Sequence, residues 1–172
     1  EQDVSISLSQ QRYAPLGSAI DSDSTRWQVP VCVSTGRGNT VSESCHLLAE
    51  AKATFELGGT CPDFVFPNAG GSGYYRFTLS SADWQKLIDH ADRLSASEAL
   101  SLLDSLDAAF RAGELDAKIF VQGINSLINH EDWNVADTTT GILEGLTDTL
   151  TLEDRAVYEP AFQQMAAARF EL

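Results

Sequence analysis

The stretch His130-Glu131-Asp132-Trp133-Asn134 comes nearest to a catalytic metal motif in this 172-residue chain. A zinc-binding helix of the HExxH type places two histidines one turn apart, so that both imidazoles reach one metal beside a glutamate base. Asn134 stands where the second histidine is required. Glu131 and Asp132 therefore read as first-turn acids that complement a helix dipole. His46, at the head of HLLAE, and His90, at the head of HADRL, have no second ligand at metal spacing.

The glycine-rich run from Asn68 to Gly73 invites comparison with a phosphate cradle, but it has no GxxxxGK[ST] pattern, no GxGxxG in register and no helix opening at its glycines. Pro67 and Asn68 favour a turn there. Gly36 and Gly38 likewise read as a loop tip. No GxSxG nucleophile elbow is present, and the serines fall at helix starts and on exposed strand positions. Asp104 and Asp107 could form a carboxylate pair, yet on so acidic a helix they read as a solvated face. The residues by themselves assemble no self-sufficient catalytic site.

Composition narrows the classes further. The formal charge of -14 and only 11 Lys and Arg make a phosphate backbone a poor partner. Residues 1–79 carry 8 acidic and 5 basic groups, whereas residues 80–172 carry 17 and 6, so the acid belongs to the second half. That surface reads as solvated helix, with guidance of cationic peptides as the sharper alternative. No run approaches the ~20 apolar residues of a membrane span. Cys32, Cys45 and Cys61 lack CxxC or Cys/His zinc spacing. One disulfide with one free thiol would suit an exported protein and three buried thiols a cytosolic one; a Cys45–Cys61 bridge and a cell-envelope or secreted location are the favoured expectation. A chain that starts at Glu1 rather than Met is expected to be a processed or excised piece.

Two periods must position these residues. Val4, Ile6 and Leu8, then Val29, Val31 and Val33, then Tyr75, Phe77 and Leu79 alternate with a period of two, with further strand candidates at Leu47–Leu57 and Phe64–Phe66. Past Leu79 the period becomes helical: Trp84, Leu87, Ile88 and Ala91, then Leu102, Leu106 and Phe110, then Phe120, Ile124, Leu127 and Ile128, then Ile142, Leu146 and Leu150. Ser80 with Asp83, Ser95 with Glu98, Asn129 with Asp132 and Thr151 with Asp154 each place a capping side chain three residues before a carboxylate. Gly113 is read as the stop of the second helix, and Pro160 as a kink or restart in the last. The expected fold is α+β in two domains: an antiparallel β-sandwich over 1–79, then an antiparallel α-helical bundle or HEAT-like solenoid over 80–172.

The ordered set Trp27-Gln28-Val29-Pro30-Val31, then Pro67-Asn68 and Gly73-Tyr74-Tyr75-Arg76-Phe77, then Trp84, then Leu94-Ser95 and Arg111-Ala112-Gly113-Glu114-Leu115 resembles the C-terminal region of gluzincin zinc aminopeptidases. That family includes the alanyl, puromycin-sensitive and endoplasmic-reticulum aminopeptidases. Its zinc ligands and its GxMEN loop lie in a catalytic domain preceding this region, and none of those motifs occurs here. Ala99 and Ser105 depart from the Arg and Asp that the family often carries along the second helix.

The resemblance implies a non-catalytic part of a zinc-dependent aminopeptidase, with no cofactor of its own and zinc in the parent protein. Its partners would be the catalytic domain of the same parent chain and peptide substrates, with the sandwich as spacer and the helices as part of a chamber wall, truncated before the helical series is complete. In that frame Trp27 is expected in the sandwich core. Asn68 and Gly73 form the turn, and Tyr74, Tyr75 and Arg76 form a final strand at the junction, with Pro30 and Trp84 as further structural residues. A non-enzymatic interaction module, sandwich plus helical repeat, is the reading from another class.

Overall fold

The computed structural model describes residues 4–19 and 25–147, together with residues 160, 163 and 167. Five strands come first: β1 (Ser5–Ser9), β2 (Val29–Arg37), β3 (Thr40–Leu48), β4 (Lys52–Glu56) and β5 (Phe64–Phe66). Four helices follow: α1 (Ser81–Ile88), α2 (Ala96–Arg111), α3 (Ala117–Leu127) and α4 (Trp133–Thr147). The fold is α+β, and both sheets are antiparallel, one of order β1-β4 and one of order β3-β2-β5.

The strand that begins at Val29 runs on past Val33 to Arg37, because β2 and β3 form a hairpin that turns at Gly38-Asn39; from Val33 to Gly36 it is buried on both faces. Only Gly38 is therefore at the tip. Gly36 lies within β2, where its bare Cα leaves room for the Phe64 ring, 2.0 Å from where a Cβ would stand. The Leu47–Leu57 candidate divides into the end of β3 and the whole of β4. Val31, Val33 and Leu48 are buried with Ile6, Leu8, Ala53 and Val65 around them, so residues of both sheets share a small apolar cluster.

The larger core lies among the helices. Trp84 and Leu87 of α1, Leu102 and Leu106 of α2, and Phe120, Ile124 and Leu127 of α3 are buried together. In α4 the buried stripe is Val135, Thr139 and Leu143, one turn apart, while Ile142 and Leu146 are only half-buried. Phe64 and Phe66 of β5 also enter this core, whereas Val65 between them faces the sheet cluster. A strand with period two thus offers one face to each cluster.

Local sequence explains the helix limits. Ser80 Oγ accepts the Asp83 N–H, and Ser95 forms a reciprocal capping box with Glu98. At the end of α2, Gly113 takes φ +73, with its N–H on Phe110 O and the Glu114 N–H on Ala109 O, the paired bonds of a left-handed helix stop. The Asn129 cap does not form: Asp132, immediately before α4, accepts the Asn134 N–H. Asp116 caps α3 by accepting from Lys118 N–H. The Thr151–Asp154 cap lies outside the described residues, and although Pro160 is helical, the residues around it lie outside them too.

Two expectations are corrected here. Tyr75 to Leu79 alternates in burial but joins no sheet, since no strand lies beside it to supply ladder partners among the described residues. The disulfide joins Cys32 to Cys45, not Cys45 to Cys61. Cys32 and Cys45 are direct cross-strand partners in the hairpin register, and Cys61 is an exposed free thiol. Once the hairpin turns at Gly38-Asn39, the two cysteines stand equidistant from the turn and its register brings them together.

Candidate functional site

Asn68, Gly73, Tyr75 and Arg76, four of the residues singled out from sequence, lie in the passage between β5 and α1. Asn68 is buried, and its amide does three things: Oδ1 accepts the Gly73 N–H at 2.7 Å, while Nδ2 donates to Gly73 O at 3.1 Å and to Ser101 Oγ at 2.8 Å. The run between them is a tight turn at Ala69–Gly71. Glu98, already bonded to Ser95 N–H through Oε2, uses Oε1 to accept the Gly70 N–H at 3.0 Å. One capping carboxylate thereby fastens the turn to the first turn of α2.

Beyond the turn, Tyr75 reaches back to donate its phenol O–H to Pro67 O at 2.7 Å. Burial pushes that phenol above its ordinary pKa, with the backbone at Cys32 acting the other way. Arg76 makes a two-pronged contact with Asp104 of α2, Nε to Oδ2 at 2.8 Å and Nη2 to Oδ1 at 2.9 Å, and lies 5.0 Å from the centre of the Tyr13 ring. The Asp104 hydrogen bond raises the guanidinium pKa further, so Arg76 stays charged. Phe77 donates its N–H to the buried Ser105 Oγ at 3.4 Å and packs on Trp84, ring centres 5.4 Å apart. Tyr75 packs in the sheet cluster, Phe77 and Leu79 in the helical one.

Not every expected residue belongs to this junction. Tyr74 is fully exposed and packs on nothing. Trp27 is 37% exposed rather than a core residue, because its backbone, not its ring, is what is held: its N–H goes to Gln10 Oε1, and its carbonyl accepts from Gln10 Nε2. Pro30 is an exposed residue of β2 opposite Leu47. Trp84 is wholly buried in α1.

Other residues of the site come from α2. Ser97, Ser101 and Ser105 recur every four positions, a small polar face on the helix, and two of them bond the junction. That spacing was the signal for them. Asp104 and Asp107 are not a carboxylate pair, since Asp104 holds Arg76 and Asp107 holds Arg111 at 2.8 Å.

What this arrangement can do chemically is bind and position. Among the described residues no three His, Cys, Asp or Glu side chains gather to hold a metal ion. His46 stacks on Phe55, His90 on Phe64, and His130 Nδ1 accepts the Asp132 N–H. No described helix is long and apolar enough to cross a membrane.

Residues 64–171 match the model of the ERAP1-like C-terminal domain family. Over 141 residues the chain is 24% identical to tricorn protease-interacting factor F2 of Thermoplasma volcanium, covering 82% of this chain and 16% of that protein. Over 151 residues it is 28% identical to the alanine/arginine aminopeptidase of Saccharomyces cerevisiae, covering 86% of this chain and 17% of that one. The chain spans about a sixth of the length of the curated relatives it matches.

Proposed function

This chain belongs to the ERAP1-like C-terminal domain family, and from that premise we propose that it is the non-catalytic C-terminal part of a zinc-dependent aminopeptidase. The observation that carries the reading is the family match over residues 64–171, joined to a relative whose name is alanine/arginine aminopeptidase. In that protein a separate catalytic domain would hold the zinc and activate water for attack on the first peptide bond. This chain would act as a unit of two parts, 1–79 as a spacer and 80–172 as a helical array of the HEAT-like kind forming part of the wall around the peptide chamber.

The junction supports such a role. Arg76, Asn68 and Glu98 join the β region to α2 by side-chain bonds, and Phe77 sits in the helical core, so a load on one part is carried to the other. The acidic surface of 80–172 would favour peptides with basic residues. The Cys32–Cys45 disulfide supports an envelope or secreted location.

The test compares the full-length protein with the 172-residue chain on an aminoacyl anilide, with and without a chelator. Chelator-sensitive hydrolysis by the full-length protein alone is expected. Hydrolysis by the short chain would overturn the assignment of catalysis elsewhere, and an inert full-length protein would favour an interaction module.

A further inference from the structure

We propose that the Cys32–Cys45 disulfide is a redox latch: a dithiol reduces it in the folded protein, which frees β3 from β2 while the helical core stays intact. The device goes beyond the aminopeptidase reading and does not depend on it. The bond is within reach of such a reductant. Cys45 is exposed and Cys32 half-buried, and β3 lies at the edge of its sheet, with β2 as its one ladder partner among the described strands.

The two strands joined by the bond are held unequally. β2 is the central strand: it pairs with β5 from Ser34 to Gly36, buries Val31 and Val33, and bonds through the Cys32 backbone to the Tyr75 phenol, which itself donates to Pro67 O. β3 has much less. Val41, Glu43, Cys45 and Leu47 are exposed, and Leu48 is the only buried residue of the strand. Its other side-chain ties are polar or half-buried: the Ser42 and Thr35 hydroxyls lie 3.0 Å apart, and His46 stacks on Phe55. Between the turn at Gly38-Asn39 and Leu48, the disulfide is the one covalent tie that keeps β3 against β2.

With Cα atoms 4.0 Å apart, Cys32 and Cys45 are a non-hydrogen-bonded pair, so the ladder bonds beside them join Val31 to His46 and Val33 to Ser44. Those bonds stand on a sheet edge with little apolar cover, the kind of region that opens locally without global unfolding. The disulfide opposes that opening by holding the strands together even when the ladder is broken. Its reduction runs in two exchanges. One thiolate of the dithiol attacks Sγ of Cys45, the S–S bond breaks, and Cys32 leaves as a thiolate. The second thiolate attacks the reductant's own sulfur in the mixed disulfide, closing the oxidised reductant and releasing Cys45. Two electrons pass from the dithiol to the pair, and the two protons that the dithiol gives up end on the two cysteines. A closed ladder keeps the thiols face to face, so an oxidised dithiol re-forms the bond by the reverse steps.

The probe is dithiothreitol in native buffer, read by thiol titration and residue-resolved amide hydrogen exchange of the whole chain. Reactive thiols are expected to rise from Cys61 alone to all three cysteines. Exchange at Ser44 and His46 should speed by about a hundredfold, the loop-closure effect of a bond of this span. Exchange at Leu106 and Ile124 in the helical core should stay unchanged, and oxidised dithiothreitol should restore the slow hairpin. Cys61→Ser should respond as the parent does, and Cys32→Ala/Cys45→Ala should exchange fast in the hairpin with or without the dithiol. A bond that resists dithiothreitol until denaturant is added would overturn the proposal. So would hairpin exchange unmoved by reduction, or slow hairpin exchange in the double variant. Loss of helix protection together with the hairpin on reduction of the parent, or loss of the response in Cys61→Ser, would equally overturn it.

Discussion

Asn68 and Gly73 hold each other across the turn that ends the β region: the asparagine carboxamide accepts the glycine N–H at 2.7 Å and donates to the glycine carbonyl at 3.1 Å. A side chain here does what a neighbouring strand does in a ladder, pairing both backbone groups of one residue. Asn68→Ala would leave these groups and Ser101 Oγ without partners in a buried place, at a cost of at least about 2 kcal/mol. Chemical denaturation measures it, and a midpoint equal to that of the parent chain would contradict the account.

Gly73 is required by contact. A Cβ there would stand 2.2 Å from Tyr75 Cε1 and 2.8 Å from Asn68 Oδ1. Gly73→Ala should therefore destabilise by about 1–3 kcal/mol, and Gly73→Val by more. Thermal melting of both variants tests the order. Loss of ligand binding without any fall in melting temperature would instead revive the glycine run as a cradle.

The three cysteines give a chemical prediction. With Cys32 bonded to Cys45 and Cys61 exposed, the folded protein should expose one reactive thiol, and non-reducing peptide mapping should return the 32–45 pair. The bond closes a separation of 13 residues, so its reduction should cost about 3 kcal/mol on the loop-entropy scale. Recovery of a 45–61 peptide would refute the pairing.

Ser80 and Asp83 give a pH dependence with a defined sign. The Ser80 hydroxyl, 2.6 Å from Oδ2, is the main cause that holds the Asp83 carboxyl below its usual range, with Lys86 assisting. A lowered folded-state pKa contributes stability above the unfolded value and loses it as pH falls through the folded value. Ser80→Ala should shift the Asp83 titration upward by carbon-detected NMR and flatten the acid limb of the stability curve. It should also remove a helix cap worth about 1 kcal/mol at neutral pH. An unmoved Asp83 titration would show that the hydroxyl is not the cause.

How much of this was written in the residue order depends on the range of each interaction. Ser80, Ser95 and Gly113 mark helix limits through bonds to residues three to five positions away, and those bonds formed where the sequence placed them. The spacing of Trp84, Leu87 and Ile88 named their buried face for the same reason. Family membership was legible too, because the ordered motifs from Pro67 to Leu115 fall within the matched region.

Distant partners were decided only by the tertiary structure. Period two in Tyr75, Phe77 and Leu79 reports which side chains face inward, and is silent on whether a strand lies alongside to take the backbone; here none of the described strands does. Cysteine pairing needed the hairpin register, set by a two-residue turn that composition alone left within a broader glycine loop. Trp27 is aromatic and lies in a recognisable motif, but its ring is left exposed because the segment is anchored through its backbone to Gln10. Asn68, Glu98, Ser101 and Asp104 became one junction when α2 came to lie beside the turn, an adjacency that packing creates across 28 to 33 residues of chain and that no local spacing encodes.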